Sequence, residues 1–225
     1  MALMYLAISI AVLRKILWTP GAVGLRHDWP IPSDPELVGP WEWPYTWSSH
    51  SLGFESHHIL PFLDPLLYVQ LGLSGEAVTK ALLVLLLTLS GVAMYGLCRV
   101  VGLKEAPSFV GGLFYSLTPV VFNKIVAGHV FYLMSYACSP LLLGCFAVSV
   151  HEGRIDRRSL ALAALFFTLA CAHAIFLPML LFLLVAYCLF AGDLRRILGR
   201  AKALALLLAA FTAVNAARRR ARALA

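Results

Sequence analysis

Charge is what this sequence has least of. Of its 225 residues only 13% are Asp, Glu, Lys or Arg, against 61% hydrophobic, and the mean hydropathy is +0.84. A water-soluble domain carries about 25% charged residues to cover its surface, so composition excludes one. Several uncharged runs approach the roughly 20 apolar residues that cross a bilayer. The opening "MALMYLAISIAVL" lacks the basic n-region and small-residue cleavage site of a secretory signal, so it reads as an uncleaved first helix. Cysteines in ligand or redox spacing are also missing. The five present, Cys98, Cys138, Cys145, Cys171 and Cys188, stand singly in apolar runs, with no CxxC and no Cys/His cluster. They read as small hydrophobes at helix contacts.

The net charge of +7 does not point to nucleic acid. Most basic residues occupy short turns between apolar runs, and no basic stripe interleaves with aromatics. That is the distribution of the positive-inside rule, so membrane lipids, not nucleic acid, are the expected partners.

Three basic turns, Arg99–Lys104, Arg154–Arg158 and Arg195–Lys202, organise the topology. If all face the cytoplasm, an even number of crossings separates each pair. The stretches Ser108–Phe122 and Phe131–Val150 supply two. The uncharged run Ser159–Gly192 would be about 50 Å long as one helix, against a hydrocarbon core of about 30 Å, and so predicts a hairpin. Its turn is placed at "CAHAIFLP", with Pro178 opening the second helix. A helix from about Glu76 to Cys98 enters from the other side. The expected fold is an all-α integral membrane protein, one domain over residues 1–225, with about six to seven transmembrane helices and a long first extracytoplasmic loop over 19–75 in the plasma membrane. Arg14 and Lys15 break the charge pattern; they are expected to snorkel or to face a polar interior. The last helix runs into "ARRRARALA" over 217–225, arginines after an outward crossing. This basic tail is read as the mark of a truncated or frameshifted N-terminal part of a longer protein.

The long loop is where the polar chemistry lies. "RHDWPIPSDPE" (Arg26–Glu36) and "WEWPYTW" (Trp41–Trp47) combine acids, indoles and prolines. Such aromatic content is foreign to a solvated linker, and the prolines restrict the backbone to extended or turn conformations. The tryptophans either anchor at the membrane–water boundary or line a substrate groove. "HHILPFLDPLLYVQLGL" (His57–Leu73) reads as an amphipathic segment lying on the surface, because Asp64 and two prolines oppose insertion. Asp28 could serve as general base toward a hydroxyl or bind Mg2+ or Mn2+ through oxygen; it could equally be a turn-former paired with Arg26. Ser33-Asp34-Pro35-Glu36 fits a simple turn or helix cap. His50, His57 and His58 show no HExxH or HxH spacing. In the second outer turn, Lys124 and His129 could meet a phosphate or a loop carboxylate, while Lys124 could also just anchor a helix end.

A first helix, a long outer loop beginning "HDWPIP", and an amphipathic segment before the second helix resemble the N-terminal half of GT-C-type membrane glycosyltransferases. Within these the chain looks like the YfhO-like bacterial proteins, their archaeal relatives and the arabinofuranosyltransferase group. "GGLFYSLTPVVFNKIVAGHVFYLMSYACSPLLL" (Gly111–Leu143) and the hairpin after "RRSLALAALFF" support the likeness. The resemblance implies a multi-helix bundle that transfers a sugar from a polyprenyl-phosphate donor on the outer face to a glycan, lipid or protein acceptor. Asp28 would be its base or metal ligand, with Asp34 the second candidate. Substrate contacts would come from Arg26, Trp29, Trp43, Trp47, Lys124 and His129. The chain departs from the family in having no tight acid pair in the second outer loop. A non-catalytic glycolipid transporter or assembly subunit is the competing expectation.

Overall fold

The computed structural model describes residues 1–21, 47–48, 54–55, 72–150, 155–191 and 196–223, with the backbone alone for the two short strands and from 214 onward. Eight helices account for most of them: α1 Ala2–Trp18, α2 Gly75–Val100, α3 Glu105–Ser116, α4 Pro119–Ala127, α5 Val130–Ser149, α6 Arg157–Ala170, α7 Phe176–Phe190 and α8 Ile197–Ala223. Two residues of β1 (Trp47–Ser48) pair antiparallel with two of β2 (Phe54–Glu55).

Local chemistry sets the helix limits. Ser74 caps α2 by accepting from the Ala77 N–H at 3.2 Å. At its far end Gly102, with φ of 94°, lets Leu103 N–H bond Cys98 O and Gly102 N–H bond Arg99 O. This is the paired 6→1 and 5→2 closure that only a left-handed residue permits. Gly128 (φ 75°) closes α4 the same way, with His129 N–H on Lys124 O. Asp156 caps α6 by accepting from Ser159 Oγ at 2.6 Å and from the Ser159 and Arg158 N–H groups. The Ser159 hydroxyl foremost, then those amides, hold the Asp156 carboxyl below its usual range.

Among the described residues three spans are long and apolar enough to cross a bilayer: Gly75–Val100, Glu105–Ala127 and Val130–Ser149. The middle one, expected as a single helix, breaks between α3 and α4 at Leu117 and Thr118. Pro119 has no N–H to continue the ladder, and Thr118 caps the restart. The hairpin expected within Ser159–Gly192 is present, turning at residues 171–175, with Pro178 in the first turn of α7. Its arms of 14 and 15 residues extend only about 21 and 22 Å at about 1.5 Å per residue. The run was long enough for a hairpin but short for two full crossings. Arg14 and Lys15 lie on an exposed face of α1, and the backbone of α8 stays helical through the arginines to Ala223. The segment expected to lie on the surface falls outside the described residues up to position 71.

Packing orders the helices into a serpentine. α1 runs against α2 through Tyr5 at Gly91, Ser9 Oγ accepting from Thr88, and Lys80 donating to Leu17 O and Thr19 O. α5 is central. One face joins Leu13, Leu83, Leu87, Val121 and Ile125 in one core; the other joins Phe146 to Phe167, Leu180, Leu184 and Leu207 in a second. Outward the surface is oily, with Phe182 71% and Phe190 83% exposed, as suits a lipid-facing wall. The cysteines are free; Cys98, Cys138 and Cys188 are buried among apolar side chains, as expected.

Candidate functional site

The serpentine gathers three connections at one end of the bundle. These are the two stems of the long loop (Thr19–Gly21 and Gly72–Ser74), the α4–α5 turn at Gly128–His129, and the α6–α7 turn at residues 171–175. Lys80 ties the stems together: it bonds Thr19 O at 2.7 Å and Leu17 O at 3.1 Å, the last carbonyls of α1, and pairs with Glu76. A cation suits that negative end of the helix dipole.

At this end α5 offers a polar aromatic surface. Lys124 Nζ lies 4.6 Å from the centre of the Tyr132 ring, within cation–π range. Tyr132 in turn meets His173 edge-on at 5.4 Å and Phe176 at 5.0 Å, and His129 approaches His173 at 6.4 Å, perpendicular. The hairpin turn is pinned to α5 by His173 N–H donating to Ser135 Oγ at 3.0 Å. Lys124, His129, Tyr132 and His173 are all half-buried. The cluster thus offers one ammonium, two imidazoles and a phenol at a mouth part open to solvent, a set that suits a phosphate or a sugar.

Beneath it the backbone breaks at two prolines, and two tyrosines repair the breaks. Pro140 inside α5 cannot donate to Tyr136 O, and Pro119 cannot donate to Tyr115 O. Tyr115 Oη donates to Tyr136 O at 2.8 Å and Tyr136 Oη donates to Tyr115 O at 2.9 Å, with the rings stacked at 4.0 Å. Each hydroxyl replaces the N–H that the opposite helix lost. The result is a rigid joint between α3 and α5 directly below the cluster.

Of the residues singled out from sequence, Lys124 and His129 are brought together in this cluster. Trp47 sits in β1, its backbone opposite Glu55. Asp28, Asp34, Arg26, Trp29 and Trp43 lie outside the described residues, as do His50, His57 and His58. Among the described residues no three His, Cys, Asp or Glu side chains converge in a way that could hold a metal ion. Sequence reasoning gave no site role to Tyr132 or Ser135, and read His173 only as the polar residue of the hairpin turn. The signals were there: Tyr132 stands three residues after His129, hence on the same helix face, and "YSLTP" and "YACSP" repeat a tyrosine four residues before a proline.

No family model, no curated protein and no solved structure matches the chain.

Proposed function

We propose that this chain is the membrane part of a GT-C-like glycosyltransferase working on a polyprenyl-phosphate sugar at the loop-bearing end of the bundle. The observation that supports it is the meeting of Lys124, His129, Tyr132 and His173 at the end where the acidic, tryptophan-rich loop leaves and returns. In this reading the bundle crosses the plasma membrane about six to seven times, with the loop extracytoplasmic and the basic turns inside.

Asp28 takes the proton of the acceptor hydroxyl as its oxygen bonds to the anomeric carbon. The bond from that carbon to the phosphate oxygen breaks, and polyprenyl phosphate leaves with the electron pair. Lys124, His129 and Arg26 stabilise the departing phosphate charge. Asp34 assists Asp28; these two carboxylates would hold Mg2+ or Mn2+ through oxygen, and the cation would offset the phosphate charge. Trp29, Trp43 and Trp47 stack on the sugar. Among the described residues Arg200 is the buried ionised side chain, whereas a transporter gathers charges at the midplane; the break at Leu117 and Thr118 is common to both readings.

The test is glycosyl transfer from radiolabelled polyprenyl-phosphate sugars by membranes carrying the protein. Asp28→Asn should abolish transfer and Lys124→Ala should lower it about tenfold or more, as expected for one lost electrostatic contact to the leaving group. Undiminished transfer by Asp28→Asn rejects the base. No transfer by the unaltered protein leaves the non-catalytic reading. A cysteine at position 47 should react with impermeant maleimide only from outside.

A further inference from the structure

At the opposite, basic end a groove of about 440 Å³ runs between α6 and α8, within the ordinary range for a bound small molecule. Its walls are two parallel stripes at helical spacing. α6 contributes Arg157, Leu160 and Ala164; α8 contributes Lys202, Leu206 and Ala210. Arg157 opens α6 and Lys202 lies in the second turn of α8, so both line the basic end of the groove, and the lining side chains beyond them are apolar. About one turn further, Phe167 and Phe211 meet at 4.7 Å and bridge the helices.

Neither cation has a carboxylate partner among the described residues, where the ion pair formed is that of Lys80 with Glu76. The acid next to Arg157 in sequence, Asp156, accepts from the amides of Arg158 and Ser159. The groove opens on the oily face, beside exposed Leu162, Leu165 and Leu206. Two cations with no carboxylate partner among the described residues, above an apolar channel, complement a molecule with an anionic head and a hydrocarbon tail, presented from the bilayer.

We propose that this groove is a binding site for one anionic phospholipid. Its phosphate lies between Arg157 and Lys202, and one acyl chain lies along Leu160, Ala164, Leu206 and Ala210. The lipid clamps α8 to α6 at the basic end, a role separate from sugar transfer at the far end. An isolated soluble phosphate gains little here, because the apolar stripes then stay unused.

Native mass spectrometry of the full protein, with phosphatidylglycerol or phosphatidylcholine added to the detergent, tests this. The protein should retain phosphatidylglycerol with roughly thirtyfold preference, about fivefold for each cation. Arg157→Gln with Lys202→Gln should bring the two lipids within about twofold of each other, the residual expected without the paired cations. Ala210→Trp, which fills the channel and keeps both cations, should weaken retention of both lipids. Circular dichroism and the melting temperature report whether each variant is folded. Equal retention of the two lipids by the unaltered protein overturns the proposal. So does unchanged preference in the double glutamine variant, or displacement of the lipid by glycerol phosphate as readily as by phosphatidylglycerol.

Discussion

Tyr5 enters a slot between α2 and α3 that exists only because two glycines face it. A Cβ at Gly91 would stand 2.5 and 2.8 Å from Tyr5 Cδ1 and Cε1, about 1 Å inside the optimum carbon–carbon separation of roughly 3.5–4.0 Å. The ring cannot retreat. It is 2% exposed, packs on Phe109 at 5.1 Å, and its hydroxyl donates to Phe109 O at 2.9 Å. Overpacking of this kind costs about 1–3 kcal/mol, offset by about 1 kcal/mol from alanine's better helix propensity. Gly91→Ala should therefore destabilise by about 0–2 kcal/mol. Gly112→Ala is worse, because its Cβ meets both Tyr5 Cζ at 2.8 Å and the backbone oxygen of Gly91 at 2.6 Å. It also forces the Tyr5 hydroxyl off its bond, adding about 1 kcal/mol. The two substitutions separate in a Tyr5→Ala background, where the cost of losing the ring itself cancels. Gly91→Ala should there become neutral or stabilising by up to about 1 kcal/mol, since its nearest neighbours were all Tyr5 atoms. Gly112→Ala should stay destabilising, because backbone does not move aside. Reversible unfolding in mixed micelles, followed by circular dichroism, measures both cycles. A Tyr5–Gly91 coupling below about 0.5 kcal/mol, the usual limit of additivity between distant sites, refutes the argument. A Gly112→Ala variant that turns neutral once the ring is gone also refutes it.

Two further outcomes follow from carbonyls that lack a backbone donor. Tyr115→Phe should cost about 1–3 kcal/mol by orphaning Tyr136 O. Pro140→Ala, which returns an N–H to that carbonyl, should shrink this cost markedly; equal costs with and without Pro140 would contradict the assigned role. Arg200 is 4% exposed and its guanidinium donates to Cys188 O at 3.0 Å, closing the C-terminal turn of α7. Arg200→Met should lose about 1.5–3 kcal/mol, the usual worth of a charged hydrogen bond, and speed amide exchange selectively in the last turn of α7.

Much of the helical layout could be read directly from residues. Apolar runs between the basic turns place the helices, whereas their limits at Ser74, Gly102, Gly128 and Asp156 emerge in the structure, where caps and left-handed glycines close the end turns. The hairpin was legible for a similar reason, because a run of that length cannot cross a bilayer once. Its arm lengths were not legible, since the turn takes residues 171–175 and leaves helices too short to span fully. The break at Leu117 and Thr118 was signalled by Pro119, yet hydropathy averages over it.

The candidate site divides along the same line. Lys124 and His129 stand out in sequence as polar residues between two apolar stretches. His173 does not declare its partners, because Ser135 and Tyr132 are about forty residues away and reach it only when α5 packs beside the α6–α7 hairpin. By itself the sequence determined that the chain is built of apolar helices with basic turns on one side, because hydropathy and capping depend on neighbours along the chain. Only the tertiary structure decided that two proline-orphaned carbonyls face each other's tyrosines, and that Arg157 and Lys202 share one groove. Those relations depend on which helices touch, and at what height.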